Sequence, residues 1–427
     1  MMAKKIVYQA LFILGFISLR VEFCLAQLNL FNDSVNSSKH FSLSLLGNVT
    51  AKSNAFPNHF YTTFYQGGYL TDETKRKAAD KIQEVNRFGA DADVNLLFRH
   101  CPDTILGKTG WGYMLRVAER RHLNVQMTRD FFNIGFFGNA MYENKTAKLA
   151  SFKLDFVSYQ QVGLGIEKNM RINNNQHQWG AIVNYLNGRN AQQALIDTAN
   201  LFTATDGAYL ELDINGKYTR TDSVKNRQLI PNPNKGAGFS FDFYYRLTTR
   251  DQHQLQVSLL DFGYIYWQNS AIAYRYDTLF RFDGIQIPNL IEINDSLVQL
   301  SQDSVINSAQ KNTNKSFKTV LPAWLQLSYT HQLIPKKLAL HFIGRYRFND
   351  VYLPFIAVGA SYCYSTNTHA TFHVGYGGYG HFNYALMINQ RIGKQFTLGI
   401  GSNQLEGLLM PQKANGQSIV ISVKNWF

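Results

Sequence analysis

The chain has 427 residues, of which 45% are hydrophobic, 14% aromatic and only 17% charged, with a formal net charge of +13. It is too apolar for a disordered chain and well below the roughly 25% charge of an ordinary soluble domain. Phe (31), Tyr (24) and Gly (31) far outnumber Pro (9), a bias toward strands, tight turns and aromatic bands that disfavours an all-helical fold.

Residues 1–26 read as a signal peptide. Lys4 and Lys5 form a basic start, Ile6 to Leu19 an apolar stretch too short to span a bilayer, and Cys24-Leu25-Ala26 a small-residue cleavage site. Its removal takes away Lys4, Lys5, Arg20 and Glu22, three cations and one anion, so the net charge falls from +13 to +11. Cys101 and Cys363 then remain, and nothing in their spacing shows that they pair. Residues 27–90 read as an N-terminal plug or periplasmic segment, with a strand-like Phe41 to Thr50 and one soluble helix, Thr71 to Arg87.

From there period two dominates. Between Gly236 and Thr248, Ala237, Phe239, Phe241, Phe243, Tyr245 and Leu247 alternate with Gly238, Ser240, Asp242, Tyr244 and Arg246. The same dyad recurs from Trp111 to Val117, Ala208 to Ile214, Leu338 to Phe348 and Phe382 to Ile392. A single case also fits a half-buried strand of a soluble sandwich, but many of them after an export signal fit a membrane barrel. Asp261 breaks the phase between Val257-Leu259 and Phe262-Tyr264, as a bulge does. The predicted fold is all-β: a transmembrane antiparallel β-barrel over 91–427 of about 14 strands, within 12 to 16, after a partly helical N-terminal segment. Short polar turns (Thr248 to Gln252, Ile334 to Lys337, Thr366 to Thr368, Gly393 to Gln395) contrast with a long polar insert near 284–316.

The last residues place Ile419, Ile421, Val423 and Phe427 on one face, resembling the insertion signal that outer-membrane barrels offer to their assembly machinery. Three segments carry a broader resemblance: LLDFGYIYWQNSAIAYRYDTLFRFDGIQI (Leu259 to Ile287), the helix-forming TRDFFNIGFFGN, and SNQLEGLLMPQKANGQSIVISVKNWF. Together they resemble a family of Bacteroidota outer-membrane proteins catalogued as a domain of unknown function. The resemblance implies a barrel distantly similar to fatty-acid-transporter-type barrels and to barrels of the gliding and type IX secretion apparatus. It brings no catalytic residues.

Catalytic and cofactor motifs dissolve on inspection. Gly375, Gly377 and Gly380 satisfy a dinucleotide pattern, but strands rather than a helix surround them, so a hairpin is expected. His369, His373 and His381 lack the carboxylate support of a metal site and read as an aqueous rim. No catalytic, cofactor or metal residue is assigned, and no enzyme is expected. The basic residues are scattered beside acids, which argues against nucleic acid. By alternation Arg116, Lys153, Asp155, Glu211, Asp213, Lys217, Asp242, Arg246, Arg345 and Arg347 point into the lumen, as a paired network or a cation-rich cavity.

The expected place is the cell outer membrane, with its lipids and barrel-assembly machinery as partners. The expected function is a passive channel or transporter for small amphipathic or anionic solutes; the alternative is an envelope scaffold or secretion-associated barrel. A repeated Asp-Ser/Thr-aliphatic tripeptide resembles an O-glycosylation acceptor and equally suits turns. Ser296 and Ser304 in the insert are the candidate sites, and Thr278, in a strand, should be bare.

Overall fold

The computed structural model describes residues 41–65, 67–221, 235–268, 271–283, 311–313 and 316–427. The signal segment, Ser296, Ser304 and nearly all of the 284–316 insert lie outside the described residues.

Fourteen antiparallel strands close into one barrel. In chain order they are β1 (Phe41–Ser53), β2 (Val85–His100), β3 (Trp111–Thr128), β4 (Phe152–Ile172), β5 (Asn175–Thr203), β6 (Gly236–Thr248) and β7 (Gln254–Trp267), then β8 (Trp324–Ile334), β9 (Leu338–Arg347), β10 (Leu353–Cys363), β11 (Thr368–Gly378), β12 (Phe382–Ile392), β13 (Phe396–Ser402) and β14 (Gly416–Trp426). Each pairs with the next, and β14 closes on β1 from Ser42↔Trp426 to Lys52↔Gly416. Closure leaves no sheet edge in the wall.

The period-two pattern becomes the two faces of this wall. On β6, Phe239 and Phe241 are exposed outside while Ser240, Asp242, Tyr244 and Arg246 are buried inside. Leu115 and Val117, Leu164 and Ile166, Leu325 and Leu327, Ile356 and Val358, and Ile400 continue an exposed apolar belt. An apolar surface this extended matches hydrocarbon rather than water. Among the described residues no helix is long and apolar enough to cross a membrane.

Asp261 is a bulge with φ +57°, and the β6–β7 register shifts beside it, between Phe241 and Phe243. The adjoining strand is broken at the same height. Phe317–Val320 continues β8 against β7, but Leu321-Pro322-Ala323 interrupts the ladder, Pro322 having no N–H to give it.

The two rims differ. The β4–β5, β6–β7, β8–β9, β10–β11 and β12–β13 connections are short and share one end with the start of β1 and with Phe427; we call this the turn end. The opposite, loop end carries the longer β1–β2, β3–β4 and β5–β6 connections and helix α4 (Leu405–Leu409) beside the short β9–β10 and β11–β12 ones, while the connection 101–110 between β2 and β3 lies at the turn end.

Over its described part, from residue 41 on, the predicted N-terminal plug or periplasmic segment 27–90 divides between the barrel wall and a cap. Phe41–Ser53 is a wall strand, because its inward Ser42, Ser44, Asn48 and Lys52 and outward Phe41, Leu43 and Leu45 match the barrel period. The predicted helix Thr71 to Arg87 shortens to α2 (Asp72–Ala79), capped by Thr71, because Val85 and Arg87 pair with β3. With α1 (Asn58–Tyr65) and α3 (Arg129–Phe137), α2 builds an apolar cap at the loop end. Phe56, Phe60, Phe131 and Phe132 pack there on Val125, Met127 and Leu154, which point out of the barrel, so this cap clads the wall and does not fill the lumen.

β5 outgrows the ring, and its far half pairs with Leu210–Thr221, which pairs with Ala271–Phe282. Leu210, Leu212 and Ile214 face the cap, so their alternation is that of a half-buried soluble strand. Thr278 lies on this extension, not in the membrane wall, which removes the geometric reason for it to stay bare.

Candidate functional site

Inward-facing positions of β2 to β7 build a ladder of ion pairs. Near the turn end Arg99 meets Glu167, which also takes the Tyr244 hydroxyl at 2.6 Å and the Cys101 thiol at 2.6 Å. Next, Arg116 meets Asp242, which accepts from Asn184 Nδ2 at 2.9 Å and from the Asp261 backbone N–H at 2.6 Å. The Asp261 bulge turns its carboxylate inward, 3.3 Å from Arg120 and 3.0 Å from Gln161. Arg120 also approaches Asp93 at 3.6 Å. Arg246 donates to Gln256 and Gln178.

At the loop end the ladder crosses the lumen. Arg347 on β9 forms a two-pronged pair with Asp91 on β2, at 2.8 and 2.9 Å. His122 bridges Asp91 (2.8 Å) and Asp350 (3.0 Å), and Tyr379 donates to Asp350 at 2.6 Å. Asp350 stands in the β9–β10 connection. Burial pushes its carboxyl up, but His122 and Arg347 outweigh that and hold it below the ordinary carboxylate value. Charges buried this deeply persist only when paired and hydrogen-bonded.

The opposite arc, β8 to β14, is not filled. It borders a cavity of about 700 Å³ on the turn-end side, and a smaller one of about 110 Å³ follows toward the loop end. His341, His369, His373, Arg391 and Lys424 line the larger cavity together with Gln, Ser and Thr side chains, and among the described residues no carboxylate does.

The lining residues read from sequence divide accordingly. Arg116, Asp242, Arg246, Arg345 and Arg347 face the lumen, and Lys153 and Asp155 pair with each other at 3.2 Å. Glu211, Asp213 and Lys217 do not line it, because Leu210–Thr221 belongs to the extension outside the ring; Asp213 and Lys217 are exposed there. Ile419, Ile421, Val423 and Phe427 share the outward face of β14, opposite the inward Ser418, Val420 and Lys424. The sequence reading missed Asp91, Asp93, Arg120, His122 and Glu167. Their signal is the same dyad, since Asp91, Asp93 and Asn95 alternate with Ala90, Ala92 and Val94. His369 and His373 border the cavity, while His381 lies on the loop-end rim beside Gln83. Among the described residues no cluster of three His, Cys, Asp or Glu could hold a metal ion. Cys101 and Cys363 are free thiols. The glycine run forms the β11–β12 hairpin, with Gly377 and Gly378 at φ +109° and +72°.

A family model described as a family of unknown function (DUF5723) matches residues 34–402. The chain belongs to this family. No curated protein matches. Among solved structures, the chain is similar to the Pseudomonas putida toluene transporter TodX (9% identity, 91% of this chain and 90% of that one, TM-score 0.42). It is also similar to a Pseudomonas aeruginosa FadL homologue (10% identity, 91% and 90%, TM-score 0.37) and to outer membrane phospholipase A from Escherichia coli (9% identity, 90% and 92%, TM-score 0.27).

Proposed function

We propose that this chain is an outer-membrane channel through which small anionic or amphipathic solutes pass, its turn end facing the periplasm. The observation that carries this reading is the 700 Å³ lumen cavity, lined by Arg391, Lys424 and three histidines and, among the described residues, by no carboxylate. A lining with positive charge and polar hydrogen-bonding groups lowers the energy of an anion relative to a cation of the same size. The short turns support the orientation, since barrels of this class keep them on the periplasmic side.

Reversal potentials of the purified barrel in planar bilayers under a salt gradient test the reading. Anion-selective openings are expected; a silent or cation-selective barrel contradicts it. The strut across the loop end favours a second reading, a sealed envelope scaffold, which predicts silence together with copurifying envelope proteins.

A further inference from the structure

We propose that Arg345 and His373 form an oxyanion-binding site where the two lumen cavities meet, an inference that rests on the channel reading and names the group the channel recognises. His373 borders both cavities, and Arg345 borders the inner one. Arg345 is set apart by what surrounds it. Arg99, Arg116, Arg120 and Arg347 each face a carboxylate, and Arg246 is buried with its nitrogens on two glutamines. Arg345 is half-buried, donates its Nε to Gln326 at 3.0 Å, and has no carboxylate within ion-pair distance among the described residues.

The other charges at the junction are spent. Asp91 borders the inner cavity, but its oxygens are held by Arg347 and His122; Lys52 is paired with Glu406 at 2.6 Å. The uncompensated charge at the junction is therefore positive. The guanidinium carbon lies 5.5 Å from the Trp324 ring centre and 5.7 Å from that of Phe355. Both rings make cation–π contact with the guanidinium and hold it on the cavity wall. A planar fork of N–H donors suits a carboxylate or a phosphate better than a halide. His373 adds an imidazole nitrogen to the guanidinium, and His341, 5.4 Å from it ring to ring, bonds the Ser361 hydroxyl at 2.5 Å.

Titration calorimetry of the full chain in detergent, with sodium succinate and with sodium phosphate in separate runs, tests the site. Binding of succinate alone assigns carboxylates, of phosphate alone phosphorylated solutes, and of both a general oxyanion site. R345Q should weaken the bound anion at least ~10-fold and H373Q about threefold, while R281Q on the extension should bind as the wild type does. Heat-modifiable gel mobility checks that each variant is folded; if R345Q is not, H373Q decides. Absence of binding by the wild type, or unchanged affinity in the folded variants, overturns the site. Because binding is read without conduction, an anion-binding but silent barrel overturns the channel alone, and a conducting barrel without binding overturns the site alone.

Discussion

Arg347 and Asp91 stand on β9 and β2, seven strands apart whichever way the ring of fourteen is followed, and their two-pronged ion pair at 2.8 and 2.9 Å spans the lumen from wall to wall. Such a contact ties opposite walls together, and on the proposed channel reading it would narrow the path between the polar cavity and the loop end. Passage of a solute in that direction would then be easier with the pair separated.

Asp91→Ala should destabilise and open the barrel together. It leaves the Arg347 guanidinium buried without its main carboxylate, a loss of about 3–5 kcal/mol for a buried pair broken on one side. The temperature of the heat-modifiable shift should fall, and bilayer conductance should rise. Lower stability with unchanged conductance would make the pair a brace and not a barrier.

Tyr379 offers an independent test of that obstruction. The β11–β12 hairpin reaches inward through Gly377 and Gly378, whose positive φ only glycine adopts without strain, and it lays the Tyr379 ring on the Gly89 backbone. A Cβ at residue 89 would stand 2.0 Å from that ring. Gly89→Ala should therefore push Tyr379 off Asp350 and raise conductance much as Tyr379→Ala does. Normal conductance in both variants would show that the hairpin does not close the path.

The wall was legible in the sequence and the lumen only partly so, for one physical reason. Alternation reports which face a residue takes, and hydrocarbon outside makes that signal strong at Phe239, Leu115 and Ile356. The Asp261 phase break was legible for the same reason, since an extra residue moves every later side chain to the other face. Partners across the lumen depend on ring closure, which no local pattern encodes, so Arg347 read as a lining residue but not as the partner of Asp91. Asp213 and Lys217 misled because a strand half-buried on the apolar cap shows the same dyad as one facing lipid.

Acid should loosen the loop-end closure. Asp350 has its carboxyl held below the ordinary value near 4, against the opposing effect of burial, by His122 and Arg347. A group depressed on folding contributes stability that is fully present above its unfolded value and is lost as the pH falls through its folded one. Asp350 should thus contribute equally from pH 7 to 5 and progressively less below about 4. Asp350→Asn should flatten part of the acid limb in a plot of the heat-modifiable transition against pH. An acid limb identical to that of the wild type would place the sensitivity on other carboxylates.

The ring is completed by its last strand. β14 pairs with β1 through eleven residues, from Ser42↔Trp426 to Lys52↔Gly416, and the Phe427 N–H donates to the Phe41 carbonyl at 3.0 Å. Deleting Trp426 and Phe427 removes the pairing that starts this seam, together with the exposed Phe427 ring on the outward face shared by Ile419, Ile421 and Val423. The unpaired N–H and C=O groups left at Phe41 and Ser42 would form an open edge, which is costly in hydrocarbon and prone to pairing with another chain. The truncated protein should reach the membrane in reduced amount and accumulate as aggregate, measured as the ratio of heat-modifiable to aggregated protein in fractionated cells. Phe427→Ala, which keeps the backbone pairing, should fall between truncation and wild type if the ring itself contributes to insertion. Equal assembly of all three would show that closure is set by the remaining pairs from Leu43 to Lys52.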